Sequence, residues 1–407
     1  MSETGIVSAE ILIPNVKDFS AWACVACDQF TGDESYWQKL YDSVGDKPSA
    51  LNLILPEIYL GKGEKERIER INDNMQKYLK EGLFKTLPKG FVLTVRETPF
   101  VKRRVGIIGA VDLEKYEYTK NSSSLVRATE GTIEGRIPPR LAVRKNAELE
   151  FPHIMILFDD EKREIAETLY NRREEFEKLY DFPLNMGGGK VAGWFIPESF
   201  GLEKAFSALA EESRLTKKYG DADKFIFAVG DGNHSLATAK AHWEEVKKTL
   251  SEEGKKNHPA RFALAEFNNI YDEGIYFEPI YRFVSGINRE KFIAKISGVK
   301  GRFGITDGAD LTVKGAGEGL PESVAAADGF IKEYIAKNGG AVDYIHGEEN
   351  LFSLVKADKN SVGITFDKLK KEELFGYVAK NGSLPRKTFS MGEGVEKRYY
   401  LEGKRIR

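Results

Sequence analysis

The run 225–250, FIFAVGDGNHSLATAKAHWEEVKKTL, constrains this chain more than any other segment. Phe225–Val229 is apolar at every position, which suits a strand inside a sheet covered on both faces. Gly230 and Gly232 then permit a reversal that needs positive φ or close backbone approach. Leu236, Ala239, Trp243, Val246 and Leu250 recur at spacings of three and four, so an amphipathic helix follows and docks on the core. Asp231 or Asn233 is placed to cap that helix. A helix N-terminus at the carboxyl end of a buried strand favours an anion, because its N–H groups and dipole both point there. Open α/β sheets also bind ligands at that end. His234 and Ser235 fall in the same space. The segment is a partial dinucleotide fingerprint only, since Ser235 stands where the third glycine belongs.

The rest of the chain alternates helices with short apolar strands, the pattern of an α+β or mixed α/β protein. Strands are expected at 6–14, 24–30, 91–96, 104–113, 153–158, 191–196, 261–268 and 275–284. Helices are expected at 64–81, 161–180 and 198–212. After about residue 285 come helices at 289–296, 320–338 and 367–380, and strands at 341–346, 351–356, 361–366 and 397–402. The chain therefore reads as a ligand-binding core, 1–285, followed by a C-terminal α/β subdomain, 286–407.

Charge narrows the function classes. Lys plus Arg total 61 against 63 Asp plus Glu, so the net charge of −2 offers no general attraction to nucleic acid or to an anionic membrane. No run approaches the ~18 apolar residues of a spanning helix. The polar start MSETGIVSAE lacks the pattern of a signal peptide. A cytoplasmic address and a small-molecule partner are the expectations.

The stretch 117–150 has no clear period and reads as a long loop, which inside a compact protein is more often functional than idle. Within it, RATEGTIEGRIPPRL places Arg127, Arg136 and Arg140 near Glu130, Glu134 and Thr132. Arginine forks suit phosphate or carboxylate. Pro138 and Pro139 stiffen its end. The alternative is a solvated, salt-bridged loop, and the two readings separate on whether the loop lies against the glycine turn.

Two further motifs invite chemistry. Cys24-Val-Ala-Cys27 has redox or half-zinc spacing, but no helix start or second ligand pair accompanies it, which favours a buried strand end. Asp28 follows directly and is a candidate base or magnesium ligand. Gly187-Gly-Gly-Lys190 lacks the Ser or Thr that a phosphate loop needs after its lysine, because Val191 stands there.

At these residues the sequence resembles the family called domain of unknown function 1015. Members carry an Asp-Gly-His-His-Arg-Tyr turn, matched here by Asp231-Gly232-Asn233-His234-Ser235-Leu236. A second family run matches 127–141 without a gap, keeping Arg127, Glu130, Thr132, Gly135, Arg140 and Leu141. Segments 268–284 and 384–402 resemble later family runs. The family is itself distantly similar to the ParB/sulfiredoxin-like fold, some relatives of which phosphorylate free serine with ATP or ADP. The resemblance implies a nucleotide-dependent enzyme of mixed α/β fold, with ATP or ADP and Mg²⁺ as cofactors. Asp28, Glu130 or His234 would do the acid–base work. Arg127, Thr132, Arg136, Arg140 and the turn Gly230–Asp231–Gly232–Asn233 with Ser235 would hold a phosphate-bearing ligand. Asn233 and Ser235 replace a histidine and an arginine of the family turn, which also admits a non-catalytic metabolite-binding regulator.

Overall fold

The computed structural model describes residues 4–25, 30, 33–59, 62–120, 122–132, 135, 137–220, 224–315 and 319–407. The fold is mixed α/β. Two compact units form, one from residues 1–275 with 393–407 and one from 276–392. Residues 393–407 thus pack with the first unit rather than with the segment that precedes them in sequence.

Twelve strands of the first unit are β1 (Ile6–Val7), β2 (Ala9–Pro14), β3 (Phe84–Glu97), β4 (Arg104–Asp112), β5 (Tyr116–Glu117), β6 (Val126–Ala128), β7 (Leu149–Glu150), β8 (Met155–Phe158), β9 (Glu177–Pro183), β10 (Lys190–Pro197), β11 (Phe227–Asp231) and β12 (Phe262–Asn269). Its helices are α1 (Phe19–Trp22), α2 (Glu34–Val44), α3 (Glu64–Lys80), α4 (Ile137–Lys145), α5 (Ala166–Asn171), α6 (Leu202–Leu209), α7 (Glu212–Tyr219), α8 (Asn233–Val246) and α9 (Glu252–Asn257). The main sheet runs β5-β6-β11-β8-β12-β4-β3-β10-β9, with β1 on β4 and β2 on β3. Its two faces bury separate cores. On β3, Phe91 and Leu93 enter one core while Val92 enters the other, as the two-residue period of a strand requires. The expected burial of 225–229 on both faces follows, since all five residues are at most 2% exposed.

The second unit has a sheet ordered β15-β14-β17-β13-β16, with β18 on β13. Its strands are β13 (Phe277–Ser285), β14 (Phe303–Thr306), β15 (Leu311–Lys314), β16 (Ala341–His346), β17 (Val362–Thr365) and β18 (Phe389–Met391). Helices α10 (Arg289–Ile296), α11 (Leu320–Asn338), α12 (Glu348–Ala357) and α13 (Lys371–Asn381) accompany them. The chain then returns to the first unit, where β19 (Lys404–Arg405) pairs with β7.

Four expectations need correction. The helix expected over 161–180 is α5 alone, and Glu177–Pro183 is a strand against β10. The strand expected at 351–356 is part of α12, which buries Leu351 and Val355, four residues apart. The long loop at 117–150 contains β6 and α4. The terminal strand expected at 397–402 is reduced to a bridge from Tyr400 to Cys24, with β19 just beyond. Cys24 is fully buried and burial pushes its thiol up, the reverse of an activated thiolate. Cys27 and Asp28 lie outside the described residues. Among the described residues no helix is long and apolar enough to cross a membrane.

The returning tail is fixed by buried charge. Arg398 ion-pairs with Glu266 at 3.4 Å and with Glu402 at 2.9 Å, and its Nε donates to the Pro152 carbonyl at 3.1 Å. The Tyr180 hydroxyl donates to Glu402. Burial opposes ionisation of Glu266, but the Arg104 and Arg398 charges outweigh it and hold the carboxyl below its usual range. Arg96 donates to the Lys397 carbonyl at 2.7 Å and Arg104 to the Glu396 carbonyl at 2.8 Å. Burial, and then the neighbouring Arg104 charge, pull Arg96 down to about 9. Removing one partner of such a network strands the other charges without water. Arg398→Ala is therefore expected to lower the unfolding free energy by about 3–5 kcal/mol in urea denaturation, and a loss under about 1 kcal/mol would contradict the burial argument.

Candidate functional site

β11 lies between β6, which runs parallel to it, and β8, which runs antiparallel. It ends at Asp231, and Gly232 enters α8 with φ +81 and ψ 24, the left-handed region. A Cβ on Gly232 would sit 3.0 Å from the Ile154 Cα, so space as well as torsion demands glycine. Asp231 does not cap α8 as expected. Its Oδ1 accepts from the Gly232 N–H at 2.9 Å and its Oδ2 pairs with Lys397 at 3.4 Å. Nor does Asn233, whose Nδ2 donates back to the Val229 carbonyl at 3.4 Å. Its Oδ1 is buried with no hydrogen-bond partner. Helix α8 thus has no side-chain cap, and the positive end of its dipole is left for something else to meet.

The strand pairing answers whether the arginine loop lies against the turn. Ala228 pairs with Arg127 and Val229 with Ala128, so the loop leaves β6 beside the turn. Thr129 secures it by donating to the Val229 carbonyl at 2.5 Å. Arg127 itself is spent elsewhere. It is buried, donates to the Ser124 carbonyl at 2.8 Å and to the Lys224 carbonyl at 3.4 Å, and lies 5.0 Å from the Phe225 ring centroid. These partners sit just before β6 and β11, at the other end of β11 from Gly232, so Arg127 stabilises the fold rather than facing the turn. Glu130 and Thr132 are half-buried in the loop, and the Thr132 hydroxyl is buried without a partner. Arg136 and Glu134 lie outside the described residues. Pro138 and Pro139 sit in the first turn of α4 rather than at a loop end, where a missing N–H costs nothing.

Helix α4 carries Arg140 to the start of α8. Arg140, His153, Ser235, Thr238 and Tyr400 line the polar part of a cavity of about 170 Å³. Apolar walls come from Leu53, Met75 and Val143, among others. Arg144 also lines it and ion-pairs with Glu150. Inside, the Tyr400 hydroxyl and His153 Nδ1 are 2.9 Å apart, and His153 Nε2 and the Ser235 hydroxyl are 3.5 Å apart. An imidazole held between two hydroxyls is positioned to take a proton from a ligand on one side and be oriented from the other.

Sequence reasoning passed over His153, Lys397 and Tyr400. Met155 explains how they arrive. Asp231 of β11 flanks it on one side and Glu266 of β12 on the other. The consecutive cations Lys397 and Arg398 meet those two carboxylates in turn. That registry sets Tyr400, two residues on, over His153, two residues before Met155. The available signal was a Lys-Arg-Tyr-Tyr run within the C-terminal segment that resembles the family.

A family comparison covers the glycine turn and the arginine loop and ends before Lys397–Tyr400. The family described as "Protein of unknown function (DUF1015)" matches residues 11–387. The chain belongs to that family. No curated protein matches it. Among solved structures, a conserved hypothetical protein from Pyrococcus furiosus is similar at 10% identity and a TM-score of 0.37, over 72% of this chain and 93% of that one. A free serine kinase in complex with AMP is similar at 10% identity and 0.39, over 74% and 92%. SbnI with C-terminal truncation, from Staphylococcus aureus, is similar at 11% and 0.36, over 70% and 82%. With TM-scores this low, none of these carries a ligand or a reaction over to the DUF1015 chain.

The turn yields one direct test. Gly232→Ala in this DUF1015 protein should cost about 1–3 kcal/mol in urea denaturation, because alanine is strained at that φ and crowds Ile154. An unchanged midpoint would contradict the turn geometry.

Proposed function

We propose that this DUF1015 protein is an enzyme acting on a small phosphate-bearing ligand, and that it transfers a phosphoryl group from a nucleotide to a small polar acceptor. The observation that carries the reading is the cavity at the start of α8, which joins Arg140 of the arginine loop to Ser235 of the glycine turn. The uncapped N–H groups of α8 and the Arg140 guanidinium supply donors to phosphate oxygens. At about 170 Å³ the cavity is below the ~300–1,000 Å³ of pockets that enclose larger ligands, so it suits the acceptor, with the nucleotide phosphates at its mouth. An acceptor hydroxyl there attacks the terminal phosphorus, the bond from that phosphorus to the bridging oxygen breaks, and the nucleotide leaves one phosphate shorter, as the diphosphate from ATP or the monophosphate from ADP. His153, oriented by Tyr400, takes the acceptor's proton. Glu130 and His234 remain secondary candidates for that proton, one in the adjoining loop and one in the first turn of α8.

ATP or ADP with Mg²⁺ is the cofactor this reading names. Among the described residues no three His, Cys, Asp or Glu side chains gather as a metal site, so the proposal routes no step through the ion. Arg127, spent on backbone carbonyls, removes one phosphate partner and favours a second reading, a regulator that binds the ligand without turnover.

Thermal unfolding with ATP, ADP, CTP and GTP, with and without Mg²⁺, tests binding. A site holding ligand at 100 times its Kd gains ~2.7 kcal/mol. The stabilisation should vanish in Ser235→Glu and persist in Cys24→Ser. No shift with any nucleotide would sink the proposal, and a shift without nucleotide turnover would select the regulator.

A further inference from the structure

Ile54 and Leu55 line the cavity at α8 and also line a second, larger one of about 420 Å³ within the same unit. Helix α3 forms one wall of this second cavity with Arg67 and Arg70, three residues apart on one helix face. The Arg67 guanidinium carbon lies 3.6 Å from the Tyr59 ring centroid, a cation–π contact.

The charge of this site is not balanced from within. Neither arginine makes an ion pair with the described residues, although Glu66 stands four residues before Arg70 on the same helix, a spacing at which pairs commonly form. Among the described residues the remaining lining is apolar or neutral, with no carboxylate in it. Tyr41 adds no negative charge either, since burial and then its hydrogen bond with Tyr59 hold its phenol above the usual range. Two permanent cations therefore share one concavity whose size falls in the ~300–1,000 Å³ range of small-molecule sites.

We propose that this cavity binds a small polyanion, either a phosphate or a polycarboxylate compound, through Arg67 and Arg70. Arginine forks grip both chemistries in two-pronged fashion. A ligand carrying at least two charges relieves the repulsion between the cations. The site stands independently of the phosphoryl-transfer reading, because it uses neither α8 nor Arg140.

Calorimetric titration of the full chain with pyrophosphate, and separately with citrate, tests it. At least one probe should bind, and the one that does identifies the phosphate or the carboxylate class. Its affinity should fall about tenfold or more in the double variant Arg67→Gln/Arg70→Gln and stay unchanged in Ser235→Glu. Both sites are partly exposed surface positions on α3, so circular dichroism melting of the double variant should match the parent and exclude misfolding as the cause. Failure of both probes to bind would overturn the proposal. So would undiminished binding by the double variant, or binding lost only in Ser235→Glu.

Discussion

The contact on which the first unit depends is the burial of Arg398 between Glu266 and Glu402. A guanidinium 4% exposed needs compensating partners, and for Arg398 one carboxylate comes from the central strand β12 while the other lies four residues further along the tail. Within the sheet Glu266 has Arg104 at 3.9 Å, and the tail adds the second cation, Arg398, at 3.4 Å. Arg96 and Arg104 also hold tail carbonyls, and Arg104 shares the Glu266 charge with Arg398. The last residues of the chain thus complete the same unit that its first strands begin.

That closure also builds the candidate site. Lys397 engages Asp231 Oδ2 while Oδ1 accepts from the Gly232 N–H, and no side chain caps α8. Tyr400 orients His153. Neither effect requires a ligand contact from the tail itself. A glycine turn that, by itself, could be an ordinary junction becomes a polar pocket because Gly232, α4 and the tail converge on one strand end.

Local patterns were legible in sequence where one period dominated. The helix expected at 64–81, read from the stripe Ile68, Ile71, Met75 and Leu79, and the apolar run of β11 are examples, and α10, α11 and β16 fall at the expected bounds. The misreadings come from competing periods. Over Glu177–Pro183, burial alternates at Tyr180 and Phe182, yet Ile165, Leu169 and Phe176 simulate one long helical stripe. In 351–356 a short apolar run fits either element, and burial of Leu351 and Val355 favoured the helix. Of the residues singled out in sequence by glycine spacing and arginine clustering, both local signals, Ser235 and Arg140 line one cavity. Lys397, Tyr400 and His153 were missed because strand pairing and ion pairs bring them together across long separations. Arg127 shows the converse limit, since a cation in a promising loop was claimed by nearby carbonyls.

The central claim is that the start of α8 receives a phosphate-bearing ligand. Backbone hydrogen exchange of the full chain, measured with and without saturating nucleotide, addresses it residue by residue. The account predicts added protection at the amides of Asn233, His234 and Ser235 and at Arg140 of α4. Protection confined to other segments, with those amides exchanging unchanged, would contradict it.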